Sequence, residues 1–293
     1  MTRYLASMRY APLVILVACS GGQHGGGRPY PEPSVTDVVA RLAKAHDATK
    51  SFRAWTTMDF WMGNQRTKGD VLVMGKAGAF VRIAALSPAG GSTMAEMACD
   101  GAKFVSVNYQ ANCVLTGPCD RSSIAQFFRV ELAPDDFLNL AVGTPPVIAN
   151  ATGTVTWDAS RGLETVQLSG GGKSEKLAID MRDGKLDVMS AEMIGADGKP
   201  EWSVTNSGFV DVGGHRVPGE SRFKAPNQQQ DLEVDWGKTE NRAINVELDA
   251  SKFQLAAPDG LPACGNNNQA SQQATPPQPS SSQVTPPQPK SHP

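Results

Sequence analysis

The chain has 293 residues, of which 27 are Lys or Arg and 29 are Asp or Glu. This near-balanced charge implies no basic face, so we expect no nucleic-acid partner. Without an amino-terminal signal and a carboxy-terminal tail, the remaining length suits one domain of the size that all-β folds often reach undivided.

The amino terminus has the layout of a bacterial export signal. Arg3 and Arg9 precede an apolar run over residues 11–18, and the run ends in Leu16-Val17-Ala18-Cys19. This is the pattern of a secretory signal closed by a lipobox, and the run is shorter than the about 20 residues that span a bilayer. We therefore expect residues 1–18 to be removed and Cys19 to be lipidated. In the alternative, an ordinary signal peptide or a weak membrane anchor, Cys19 is an unmodified cysteine.

Residues 19–33 are predicted to form a flexible tether, because the stretch after Cys19 is rich in glycine. Ser20 stands where an aspartate signals inner-membrane retention in the enterobacterial sorting rule. By resemblance to that rule, we expect the protein on the outer membrane, facing the periplasm.

The next segments predict one helix and then an antiparallel meander. Ser34 and Asp37 approximate a capping box, and apolar residues recur at helical spacing up to Ala45. From Phe52 to Met62 the pattern alternates, as in a strand with two different faces. Further strands are predicted over residues 69–75, 80–86, 92–99 and 103–109, with Asp100-Gly101 as a hairpin turn.

Two short helical patterns interrupt the strands, one at Ile124, Phe127 and Phe128 and one opened by Pro134. Strands resume over residues 152–158, 164–168, 175–181, 186–194, 201–211, 215–223, 232–235 and 243–247. From residue 265 the chain consists mainly of Asn, Gln, Ser and Pro, with Thr275-Pro276-Pro277-Gln278-Pro279 repeated at 285–289. We expect residues 34–264 to be one domain and residues 265–293 to be a disordered tail, unless the tail contacts peptidoglycan or a partner.

Four cysteines remain once Cys19 is set aside: Cys99, Cys113, Cys119 and Cys264. An even number in an exported protein indicates two disulfides, and four cysteines allow three pairings. We favour a local bridge from Cys113 to Cys119 around a turn-rich loop, which leaves Cys99 to pair with Cys264. The rival interpretation is a zinc site, but no pair has the two-to-four-residue spacing of a zinc ribbon. We expect no metal.

Catalytic motifs are missing from the sequence, which has no Gly-x-Ser-x-Gly elbow and no His-Glu-x-x-His. His46 and His215 are predicted at a helix end and in a turn, where solvated side chains are the rule. Gly172-Lys173-Ser174 joins two predicted strands and is interpreted as a hairpin turn. We therefore expect that the protein is not an enzyme and binds no cofactor.

Methionines and phenylalanines are concentrated on the predicted strands and helices. Methionine is flexible and polarisable, so a surface rich in it adapts to a ligand such as an acyl chain. In the alternative, these side chains fill the space between sheet and helices. The predicted cavity-lining residues are Met58, Phe60, Met62, Met74, Met97, Phe104, Phe128 and Phe137.

The order of elements resembles the LolA/LolB-like lipoprotein carriers over residues 34–260. The resemblance rests on the lipobox, the helix, the strands, the helical insertion ending in Leu140-Ala141-Val142-Gly143-Thr144-Pro145, and the closing phrase at residues 253–260. It implies an α+β, mainly β fold: a curved, unclosed antiparallel barrel with helices covering its concave face. It further implies a hydrophobic cavity for lipid or lipoprotein acyl chains, with a role in transfer to the outer membrane. The alternative is a structural or sensory envelope lipoprotein that contacts a protein partner.

Overall fold

The computed structural model describes residues 27–62, 65–87, 91–123, 133–226 and 230–264. Two α-helices lie wholly within these ranges, α1 at Val35–Ala48 and α2 at Pro134–Ala141, and residues 121–123 are also helical. The first six strands are β1 Ser51–Met62, β2 Gln65–Lys76, β3 Phe80–Leu86, β4 Thr93–Asp100, β5 Lys103–Asn108 and β6 Cys113–Pro118. After α2 follow β7 Thr152–Asp158, β8 Leu163–Gly170, β9 Lys173–Asp180, β10 Asp187–Ile194, β11 Pro200–Ser207, β12 Val210–Val212, β13 His215–Val217, β14 Glu220–Ala225, β15 Gln230–Asp235 and β16 Arg242–Ile244.

One large antiparallel sheet dominates the described ranges. Its strands follow the order β6-β5-β4-β3-β2-β1-β15-β14-β11-β10-β9-β8-β7, and β16 also pairs with β1. The sheet is curved and does not close into a barrel, because β6 and β7 remain at its two ends. This confirms the predicted fold class, a mainly β half-barrel with few helices.

The two faces of the sheet follow the alternation seen in the sequence. On β1, Phe52 and Ala54 are buried in the main core, whereas Arg53 and Trp55 are exposed on the other side. Successive side chains of a strand point to opposite faces, so this alternation separates a concave, helix-covered face from an outward face.

Both helices pack on the concave face. The predicted capping box starts α1, since the Asp37 backbone N–H donates to the Ser34 hydroxyl at 3.0 Å. Leu42 of α1 and Leu138 of α2 join the sheet residues of the main core. Helix α2 lies so close to β2 that a Cβ added at Gly75 would be 3.0 Å from the Leu138 Cδ1 atom. The missing side chain of Gly75 therefore allows the helix to contact the sheet.

The structure has two disulfides, as expected, but the favoured pairing was wrong. Cys99 pairs with Cys119, and Cys113 pairs with Cys264. Cys113 begins β6 and Cys119 directly follows it, so an extended strand holds them about 20 Å apart. A disulfide needs Cα atoms about 4.4–6.8 Å apart, which rules out the local bridge.

The chain beyond the last strand is tied to the edge strand β6. Val114 accepts a hydrogen bond from the Cys264 backbone N–H at 2.9 Å and donates one to the Pro262 carbonyl at 2.9 Å. Together with the Cys113–Cys264 disulfide, these bonds fix the end of the domain beside β6.

Two predicted strands are each interrupted in the structure. Residues 201–211 divide into β11 and β12, and residues 215–223 divide into β13 and β14. The breaks fall at Gly208 and Gly219, where a Cβ added to Gly219 would be 2.7 Å from the Gly208 carbonyl oxygen. This close backbone approach lets β12 and β13 leave the main sheet and form a separate hairpin.

Part of the predicted tether packs on the domain. Arg28 binds both carboxylate oxygens of the fully buried Glu164, at 2.7 and 3.1 Å. The Tyr30 ring meets the Trp157 ring edge-on, with centroids 6.0 Å apart. Cys19, the helical pattern at Ile124 to Phe128 and the tail from residue 265 lie outside the described residues. Among the residues that are described, no helix is long and apolar enough to cross a membrane.

Candidate functional site

The concave face brings together several residues of the predicted cavity. Met58, Met97 and Phe104 belong to the main core, and Phe137 of α2 is half-buried against it. Met97 and Phe104 are 0% and 2% exposed. These side chains therefore line an interior that is closely packed where the structure describes it.

Met74 lies on the opposite face of the sheet. It stands directly across from Arg53 on β1, in the outward alternation of β2. There it packs with Leu248 and Phe253 in a second, smaller core cluster. The prediction that Met74 lines the cavity is wrong. Successive residues of a strand point to opposite faces, and Met74 occupies an outward position of β2.

The remaining predicted residues contribute less to this interior. Phe60 has the same alternation as Met58 and is half-buried. The Met62 side chain and Phe128 lie outside the described residues, as does Cys19.

Two clefts flank α1, one on each side of the helix. The first, of about 290 Å³, lies between α1 and residues 145–149 and is lined by Val39 and Leu42. The second, of about 250 Å³, lies between the end of α1 and the β12–β13 hairpin and is lined by Ala45, Ala48 and His215. Each is slightly smaller than the about 300 Å³ at which typical ligand pockets begin. Among the described residues, neither cleft accommodates a longer ligand unless α1 moves away from the sheet.

The mouth of the first cleft is polar. His46, Asp47 and Asp136 line it beside the apolar residues. Burial raises the pKa of Asp136, and the Arg121 guanidinium, 3.7 Å from the carboxylate, acts in the opposite direction. The cleft thus combines an apolar floor with ionisable groups at its entrance.

Glu175 is a buried carboxyl on the concave face that the sequence analysis missed. It is 1% exposed, and its Oε2 atom accepts a hydrogen bond from the Ile148 backbone N–H at 3.1 Å. Its Oε1 atom has no partner in the described part of the chain. Burial raises the pKa of Glu175 to about 7, although the Ile148 hydrogen bond lowers it. The signal was available in the sequence, because Glu175 shares the inward alternation of Leu177 and Ile179.

Glu164 has the same inward alternation on β8 but a different environment. Its two oxygens are paired with Arg28, so its charge is compensated. Glu175 has no cation beside it among the described residues, and a neutral carboxyl is the stable form there until the pH reaches its raised pKa. No group of three or more His, Cys, Asp or Glu side chains in the described ranges is arranged to hold a metal ion.

Comparison with known proteins shows a similarity of structure. No protein-family model matches the sequence, and no curated protein sequence is significantly similar to it. A DUF1329 family protein from Desulfovibrio piger is 13% identical and has a TM-score of 0.52, over 74% of this chain and 95% of that protein. A LolA superfamily protein from Nitrosomonas europaea is 11% identical and has a TM-score of 0.50, over 74% of this chain and 97% of that protein. The chain therefore has a LolA/LolB-like fold.

Proposed function

We propose that the protein is a bacterial envelope lipoprotein, anchored to the outer membrane through Cys19, that binds lipid or lipoprotein acyl chains beneath α1 without catalysing a reaction. The observation that carries this proposal is the concave face itself. Its Met and Phe side chains are covered by two separate helices, and clefts flank α1 on both sides. The LolA/LolB-like fold supports it.

Burial of apolar surface would drive the binding. An acyl chain transferred from water to an apolar interior gains about 0.8 kcal/mol for each buried methylene group. Phe137 and Val39 border the interior at the helices, where a chain would first make contact. Because the described interior is closely packed, a chain must displace α1 to enter. The movement of this helix would then control access.

The packed amino-terminal segment sets how far the domain stands from a membrane. The Arg28–Glu164 ion pair fixes the chain at residue 28, nine residues after Cys19 (28 − 19). Nine extended residues span at most about 30 Å. A lipidated Cys19 would therefore keep the β7–β8 end of the sheet close to the bilayer, in reach of acyl chains.

Native mass spectrometry combined with organic extraction tests the proposal. The Cys19→Ser variant, exported behind a cleavable signal so that it carries no lipid anchor, is purified from a bacterial periplasm without detergent and with both disulfides formed. We expect a stoichiometric phospholipid or acyl adduct. Val39→Trp, which fills the larger cleft beside α1, should reduce the adduct several-fold. Lys44→Trp, on an exposed part of the same helix, is the matched control and should retain it.

A bare protein mass would contradict acyl binding and favour the second candidate, a structural or sensory lipoprotein. That candidate is supported by the complete burial of Met97 and the near-complete burial of Phe104, which leave the described interior solid. It predicts that an envelope protein, not a lipid, copurifies with the intact chain.

A further inference from the structure

A groove of about 570 Å³ crosses the outward face of the sheet, on the side opposite the helices. Strands β1 to β4 form its floor, and the 3-10 helices at Thr239–Asn241 and Ala250–Phe253 border it. Trp55 lies in this groove with 43% of its surface exposed, and it is the one exposed large hydrophobic side chain among the described residues. The groove therefore presents an aromatic surface to the solvent.

The Arg82 and Glu96 side chains on the floor of the groove bind each other. The hydrogen-bond donors of Trp55 and of its neighbour Arg53 have no partner among the described residues. The Arg82 Nη2 atom contacts the Glu96 Oε2 atom at 2.6 Å, and the Tyr109 hydroxyl donates to Glu96 Oε1 at 2.7 Å. In the described part of the chain, the Arg53 guanidinium and the Trp55 indole N–H have no hydrogen-bond partner. The groove thus offers an aromatic ring beside unused donors.

A row of paired residues connects the groove to the strand beside which the carboxy-terminal tail begins. Strand pairing places Trp55, Leu72, Ala84, Glu96, Val107 and Val114 in one row across β1 to β6. Val114 is the residue that binds Cys264, after which the tail starts. Five strand spacings of about 4.8 Å separate the two ends of this row, or about 24 Å in all.

We propose that this groove binds the proline-rich tail of the same chain, with either of its two Thr-Pro-Pro-Gln-Pro repeats placed against Trp55. Each repeat has three prolines, of which the first and the last are three residues apart: Pro276 and Pro279 in one repeat, Pro286 and Pro289 in the other. Proline favours the polyproline II helix, which exposes its carbonyl groups and docks in aromatic-lined grooves. The Trp55 ring packs on the prolines, and the Trp55 and Arg53 donors bind the carbonyls.

The tail is long enough to reach the groove. Residues 265–274 lie between Cys264 and the first repeat, and ten residues at about 3.1 Å each cover about 31 Å. This exceeds the about 24 Å of the row. Residues 265–289 carry no charged side chain, so they bring no like charge against Glu96 or Arg53. A linker of this length gives an effective concentration near 1 mM, and the second repeat provides another copy of the same motif.

Hydroxyl-radical footprinting of the exported full chain, read by mass spectrometry at Trp55, tests this inference. The comparison variant replaces the six repeat prolines by serine: Pro276, Pro277, Pro279, Pro286, Pro287 and Pro289. We expect Trp55 to be oxidised at least about threefold more slowly in the native chain than in this variant, because an effective concentration near 1 mM fills at least about two thirds of the grooves when the intrinsic Kd of a repeat is about 0.5 mM or lower. Gln272→Ser with Gln273→Ser, in the tail but outside the repeats, should leave Trp55 protected.

Equal oxidation rates in the native chain and the proline variant would overturn the proposal. Protection that disappears on dilution would also overturn it, because it would mean that the tail binds a second copy. Trp61, which lies on the same face of β1, should react equally in all variants. A reciprocal measurement follows the Gln278 and Gln288 amides of the full chain by NMR: Trp55→Leu should move their signals to the positions seen in an isolated tail peptide. Unchanged signals would contradict docking at Trp55.

Discussion

Replacing Glu175 by Gln should remove a loss of stability that the protein undergoes as the pH rises. Burial raises the pKa of Glu175 from 4.5 to about 7. One pKa unit corresponds to about 1.4 kcal/mol, so the folded state favours the neutral carboxyl by roughly 3 kcal/mol relative to the unfolded chain. The Ile148 N–H can donate equally well to the carbonyl oxygen of Gln.

The direction of the effect follows from proton binding. Between pH 4.5 and about 7, the folded protein keeps a proton on Glu175 that the unfolded chain has released. Because the native state binds more protons, the free energy of unfolding decreases as the pH rises through this window. The stabilising contribution is complete below pH 4.5 and lost above pH 7. Glu175→Gln is neutral throughout and should lack this slope.

Urea denaturation at pH 5 and pH 8 measures the difference. Relative to the native protein, Glu175→Gln should gain roughly 2–3 kcal/mol more at pH 8 than at pH 5, since all other titrating groups cancel in the comparison. Glu247→Gln, on the exposed surface, is the matched control and should follow the native protein. If the native and Glu175→Gln stabilities change in parallel between the two pH values, the buried, neutral state of Glu175 is refuted.

Two further predictions concern packing and cross-linking. Gly75→Val should destabilise the fold by about 1–3 kcal/mol, because its side chain collides with Leu138 of α2. Gly117→Ala, where an added Cβ meets nothing within 4 Å, is its control, and equal urea midpoints for the two variants would contradict the close contact. Removing the Cys113–Cys264 disulfide by double serine substitution should cost about 4–5 kcal/mol of unfolding free energy, since it closes a separation of 151 residues. A loss below about 1 kcal/mol would show that the backbone bonds to β6 suffice.

The sheet and both described helices could be predicted because they depend on local patterns. The alternation from Phe52 to Met62 determines which side chains of β1 are inside, and the Ser34 capping box starts α1. These features involve residues close together in the chain. The resemblance to LolA/LolB-like carriers then supplied the curvature, which no local pattern contains.

The cysteine pairing and the face of Met74 could not be predicted in the same way. Both depend on which residues form strands and on how distant segments pack. Cys113 and Cys119 are far apart because the residues between them are extended. Met74 packs with Phe253, which is far along the chain. Composition made residues 113–119 resemble a loop. For a six-residue edge strand, the pairing with β5 decides the structure.

The two ends of the described domain leave from opposite ends of the sheet. Arg28 fixes the amino-terminal segment on β8, beside the end strand β7, and Cys264 fixes the carboxy-terminal segment on β6, at the other end. In strand order, the whole curved sheet therefore lies between the segment held by Arg28 and the start of the tail. The segment that leads into the tail is held on β6 in the row of paired residues that contains Trp55, at the end of the sheet away from Arg28. Docking of the tail in the groove, as proposed, would leave the concave face and α1 available to the proposed ligand, because the two surfaces lie on opposite sides of the sheet.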